Sequence, residues 1–222
     1  MQNRELLATE NLQSIGCWTE SSNGHTTRVS FDECVEPTYD DLRYLASLPH
    51  LKDLCFYGTP VDGKILSALT CNQTLTHLNL NRTAISRDAT KLLAKFPNLQ
   101  LVGLMATSTD DDCLQSLLSC QHITNLRIDD TKITHVGTSS LVENLDLDTL
   151  WIGGTQLSAE SLASISKLPR LREFRVCGES VVDSHIDILL TFPNTVSVRN
   201  TRISDSGLLR LASIDPNASN VG

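Results

Sequence analysis

The chain has 222 residues, with 18 Lys and Arg against 26 Asp and Glu and a formal charge of −8. That length holds one domain or an ordinary repeat array, and the acidic balance disfavours a general nucleic-acid or anionic-membrane binder, which needs a concentrated basic face. Ten aromatic residues stand against 35 leucines, so the apolar content is aliphatic and skewed to one residue type, a sign of repetition.

The first sixteen residues carry Glu5 and Glu10 and no continuous apolar run, so they do not read as a secretory signal. No apolar stretch approaches the roughly 18 to 20 residues that span a bilayer, and the chain as given is expected in the cytoplasm. Seven cysteines without a CxxC pair then read as reduced thiols packed as small hydrophobes. Residues from Arg4 to Ile15 read as a short helix. After Gly16, two β-prone runs flank Asn23-Gly24, a strong hairpin signal leading into Thr27 to Phe31. Residues 1–26 are therefore predicted to be an N-terminal cap, with Trp18 covering the open end of the core.

From Leu51 the chain repeats without a gap in five segments of 24 residues, beginning at Leu51, Leu75, Leu99, Ile123 and Leu147. Each opens Leu-x-x-Leu-x-Leu-x-x-Thr-x-Ile or a close variant, as in Leu75, Leu78, Leu80, Thr83 and Ile85. Threonine recurs at 59, 83, 107, 131 and 155. A sixth copy starts at Leu171 with Phe174 and Val176 but carries Glu179 in the threonine slot; a seventh, with Val196, Val198, Thr201 and Ile203, sits two residues early. Val29, Phe31 and Cys34 suggest a degenerate first copy. About eight layers are expected over residues 27–212, followed by a frayed tail at 213–222.

The alternating pair in each copy has the two-residue period of a strand, so Leu78 and Leu80 should point inward while His77, Asn79 and Asn81 point out. The second half of each copy changes to helical spacing, as in Leu92 with Phe96 or Leu162 with Ile165 and Leu168. Ser86, Asp110, Thr134, Ser158 and Ser204 stand where helices should be capped, and Pro97 and Pro169 where they should stop.

This pattern resembles the leucine-rich repeat, L-x-x-L-x-L-x-x-N/C-x-L with a period of 20 to 29. The Thr-type, 24-residue version is similar to repeats common in bacterial proteins of that family. The resemblance implies an α/β fold, a right-handed horseshoe-shaped solenoid with a parallel sheet on the concave face and helices on the convex face. This chain departs from the family in placing Thr where an amide usually bonds the turn backbone; a hydroxyl satisfies fewer groups.

No catalytic constellation stands out. The six histidines (25, 50, 77, 122, 135 and 185) are not spaced as metal ligands, and neither GxSxG nor GxxxxGK[ST] occurs. Asp110-Asp111-Asp112 falls at a predicted helix start, where a solvated, dipole-favoured first turn accounts for it better than a cation. Gly153-Gly154 lies in the strand-to-turn slot, where close packing accounts for it better than phosphate binding. No metal, cofactor, small-molecule substrate or enzymatic activity is expected.

The concave face remains. Its central outward slot reads Ser30, Cys55, Asn79, Gly103, Arg127, Trp151, Arg175 and Ser197. At a strand spacing of about 4.8 Å, Trp151 and its two arginines should stack as a cation–aromatic ladder. Leu101, Met105, Asn125, Asp129 and Asp130 occupy adjacent slots, and Arg172, Glu173, Arg199 and Arg202 extend the patch. Trp and Arg are the residue types of interface hot spots. Two readings stay open: a docking site for a protein or peptide, acidic if the arginines take part, or an indole that only shields its own sheet. The function expected is a non-catalytic protein–protein interaction module that binds a protein or peptide on its concave face; the alternative is a substrate-recognition or regulatory subunit of a larger enzyme complex, such as a ligase adaptor or kinase regulator.

Overall fold

In a computed structural model of the chain, residues 2–31, 37–120, 122–144, 146–155, 157–192 and 195–213 are described. Cys34 and most of the predicted tail lie outside them. Helix α1 (Gln2–Ser14) leads into the hairpin of β1 (Trp18–Ser22) and β2 (His25–Ser30). Asn23 and Gly24 both take positive φ at its turn, 53° and 79°, the conformation a two-residue hairpin requires. There follow α2 (Tyr39–Leu45), β3 (Asp53–Cys55), α3 (Gly63–Leu69), β4 (His77–Asn79), α4 (Arg87–Lys91) and β5 (Leu101–Gly103). The series continues with α5 (Asp111–Leu117), β6 (Asn125–Arg127), α6 (His135–Asn144), β7 (Thr149–Trp151), α7 (Ala159–Ile165), β8 (Glu173–Cys177), α8 (Ile186–Leu189), β9 (Thr195–Arg199) and α9 (Asp205–Ala212).

Among the described residues, nine strands form one sheet in chain order; β1 pairs antiparallel to β2, and every later pair is parallel. The register follows the repeat. Leu54, Leu78, Val102, Leu126, Leu150, Phe174 and Val196 stand in one line across the strands, 24 residues apart until the last step of 22. The first six of them are at most 1% exposed. Each layer's aliphatics meet those of the next in one continuous core, which no single copy could bury alone. Successive helices pack beside one another on the other side. Because a helix is wider than a strand, the stack curves with the sheet on the concave face.

The threonine slot closes each turn from within. The hydroxyls of Thr59, Thr83, Thr107, Thr131 and Thr155 are buried, and each donates to the carbonyl three residues earlier at 2.6 to 3.0 Å. Immediately before each threonine the backbone enters the left-handed region: Gly58, Arg82, Ala106, Asp130 and Gly154 all have φ between 53° and 70°. Gly178 repeats this in the sixth copy. Where Thr is replaced by Glu179, the side chain is exposed and pairs with Arg202 instead.

Ser86, Asp110, Ser158 and Ser204 cap their helices through backbone N–H groups, and the Thr134 hydroxyl accepts from Val136 N–H at 3.2 Å. The Leu92–Phe96 segment differs from the predicted α-helical turn: Leu92–Lys95 tightens into a 3-10 helix and Phe96 is extended just before Pro97. The expected role of Trp18 is also corrected. Its side chain is 49% exposed, with Arg28 above the ring at 5.4 Å. The core's open end is covered by α1, whose Ala8 and Leu12 are 2% and 0% exposed. No helix among the described residues is long and apolar enough to cross a membrane.

Candidate functional site

The three central residues of the concave face come together as their spacing required. Trp151 on β7 is register partner to Arg127 on β6 and Arg175 on β8. The guanidinium carbons lie 4.0 Å and 4.6 Å from the centroid of the indole ring. Since β7 lies between β6 and β8, the two arginines cover opposite faces of the ring. The indole N–H donates to Glu173 Oε1 at 2.9 Å, which holds the ring at one angle. That hydrogen bond was not foreseen from the sequence; the sign of it was an acidic residue two positions before the next slot in the ladder.

The arginines of the described residues fall into two groups. Arg28, Arg43, Arg87, Arg170, Arg202 and Arg210 each meet a carboxylate. Among the described residues, Arg4, Arg82, Arg127, Arg172, Arg175 and Arg199 have no such ion pair, and of these Arg127, Arg175 and Arg199 each have a buried Nε without a hydrogen-bond partner. Arg199 lies opposite Cys177, one pleat along from Arg175. The concave face thus carries three clustered arginines held outside ion pairs.

No family model matches the sequence, and no curated protein matches it. Solved structures do match in three dimensions. The chain superposes on internalin C2 of Listeria monocytogenes with a TM-score of 0.60 at 19% identity, covering 99% of this chain and 89% of that one. It superposes on an internalin F of the same organism with a TM-score of 0.53 at 18% identity, covering 79% of this chain and 56% of that one. The fold is a leucine-rich-repeat solenoid.

On this solenoid the flanking candidates fall into different places. Leu101 and Met105 are half-buried at β5, two strands from Trp151. Asp129 and Asn81, expected to point outward, are corrected: they are 4% and 5% exposed. Each turns into the stack and accepts a backbone N–H from the next layer, Asp129 from Gly153 at 2.9 Å and Asn81 from Met105 at 2.8 Å. Burial raises the pKa of Asp129, against the lowering influence of the Gly153 N–H and Arg175. Cys177 Sγ lies 3.8 Å from Asp129 Oδ1, and burial, with the charges of Asp129 and Asp130, pushes its thiol up to about 11. Gly153 is required because a Cβ there would run into Cys177.

The acidic run is accounted for by the fold, carboxylate by carboxylate. Asp110 caps α5, Asp111 accepts both the N–H and the hydroxyl of Thr134 at 2.8 and 2.6 Å, and Asp112 pairs with Arg87 at 2.6 Å. Among the described residues, no three His, Cys, Asp or Glu side chains assemble into a group that could hold a metal ion.

Proposed function

We propose that the protein is a non-catalytic interaction module that docks a segment of another protein on its concave sheet, centred on Arg127, Trp151 and Arg175, with Leu101, Met105 and Arg199 at the margins and Asp129 supporting the turn beneath. The observation that carries this reading is the ladder itself. Six arginines elsewhere are held in ion pairs with carboxylates, whereas Arg127 and Arg175 are stacked on an indole outside any ion pair, each with a buried Nε that has no hydrogen-bond partner. A tryptophan that only shielded its sheet would be equally served by matched arginines. A stacked, pinned indole flanked by free guanidiniums costs little entropy to bind, which favours it as a hot spot.

The six described cysteines are free thiols, which supports a reducing, cytoplasmic setting. The test of the site is a variant carrying Trp151→Ala with Arg127→Glu and Arg175→Glu. Its circular dichroism should match the parent, and it should lose a partner captured by the parent. Retention of that partner would place the docking site elsewhere.

A further inference from the structure

The ladder has a fixed dimension, and that dimension selects among peptide conformations. Arg127 and Arg175 are two strand steps apart, about 9.6 Å along the sheet at the usual parallel spacing, and their 4.0 and 4.6 Å distances from the ring between them draw the guanidinium carbons in to at most about 8.6 Å apart. A guanidinium is planar and keeps its N–H donors in that plane, so an arginine lying over a ring still has donors to offer. Each can take one carboxylate.

A bound segment must therefore present two acidic side chains on one face roughly 8 to 9 Å apart. In a β-strand, residues sharing a face recur at about 6.6 and 13 Å, and neither fits. In a polyproline II helix, three residues complete a turn with a rise of about 3.1 Å each, so positions i and i+3 share a face at about 9.3 Å. That conformation also needs no backbone partner and suits an aromatic platform.

Resting on the docking reading above, we propose that the ladder binds an acidic polyproline II segment of the form Glu-x-x-Glu. One carboxylate sits on Arg127 and the other on Arg175, with the intervening residues over the outward edge of Trp151. Glu173 contributes by pinning the indole N–H and by excluding a third acidic group from that side. The charge complementarity is local, since the protein as a whole is acidic.

The experiment uses the full chain carrying Trp18→Phe, which leaves Trp151 as its one tryptophan and its emission as the readout. The probes are synthetic Pro-Glu-Pro-Pro-Glu-Pro, the same composition with glutamates at i and i+2, a glutamine version, an alanine-rich helical peptide with glutamates at i and i+7, and a single-stranded RNA. The i and i+3 peptide should bind at least about tenfold tighter than each of the others, the worth of one well-made charged contact. Arg127→Gln and Arg175→Gln should each abolish that preference without changing the circular dichroism. Equal affinity for both glutamate spacings, or tighter binding of the helical peptide or the RNA, overturns the proposal. A protein partner that needs Trp151, found together with indifference to glutamate spacing, overturns this inference and leaves the docking site standing; a partner indifferent to Trp151 removes both.

Discussion

Asp129 gives one carboxylate oxygen to the N–H of Gly153, 24 residues downstream, while its other oxygen is buried with no partner among the described residues. The same slot two copies earlier holds Asn81, which makes the equivalent bond without a charge. Burial raises the pKa of Asp129 in the folded state, so the native protein holds that proton more tightly than the unfolded chain, where the value is about 3.9. Stability from this group is therefore full below the unfolded value and declines as pH rises through the folded one. Asp129→Asn should keep the Gly153 contact, add about 1 kcal/mol at neutral pH and remove that decline. Urea unfolding at pH 4.5 and 7.5 measures both; a variant that is weaker at both values would show the charge to be well accommodated.

The left-handed turn position makes a second comparison possible within one molecule. Ala106 has φ of 53° and Gly154 has φ of 70° at equivalent points. A Cβ in that region costs roughly 1 to 2 kcal/mol, partly offset by glycine's greater freedom when unfolded. Ala106→Gly should therefore stabilise by about 0.5 to 1 kcal/mol, whereas Gly154→Ala should destabilise by about 1 to 2 kcal/mol or more, because its Cβ would also strike Asp130. Thermal melts should move in opposite directions.

The N-terminal cap can be tested by two truncations. Leu12 is fully buried under the first layer, and Trp18 is half exposed. Leu12→Ala should cost about 2 to 5 kcal/mol, the usual range for opening a cavity. Trp18→Ala should cost about 1 kcal/mol or less, mainly the exposed contact with Arg28. Chemical denaturation of the two variants decides which residue closes the core; the reverse order would restore the tryptophan to that role.

In the aspartate run, the three positions should behave differently despite their adjacency. Asp111→Ala removes the acceptor of two hydrogen bonds from Thr134 and should cost about 2 kcal/mol. Asp112 is an exposed partner of Arg87, and Asp112→Ala should cost less than about 1 kcal/mol, with a dependence on salt. Millimolar calcium or magnesium should leave the melting temperature of the parent unchanged. A rise that vanishes in Asp111→Ala would instead mark a cation site.

What could be read before the structure was known follows from the repeat. A constant 24-residue step determines which residues become register partners, so Arg127, Trp151 and Arg175 could be aligned from spacing alone. Side-chain direction after the strand could not. Alternation continued past Asn79 puts Asn81 and Asp129 outside, yet the left-handed residue that follows each, Arg82 or Asp130, bends the chain and turns them in. Arg82 and Ala106 carry no glycine to announce that bend. Trp18 was misread because size suggested burial, whereas the hairpin's register places it on the outward side and leaves α1 to supply Ala8 and Leu12. The pinning of Trp151 by Glu173 depends on a rotamer, which spacing does not encode.

The constant register has one more consequence. From β3 to β8 the core-facing residue and the outward slot belong to the same three positions of each strand, and each recurs at the same interval. Removing residues 99–122 would bring Leu126 beside Leu78 and Arg127 beside Asn79, with the inner line still aliphatic. Duplicating a layer would do the reverse and move two outward side chains apart by one strand spacing. The outward face can therefore be lengthened, shortened or reordered in whole steps of about 4.8 Å, and a change in what it displays need not begin with a change of core.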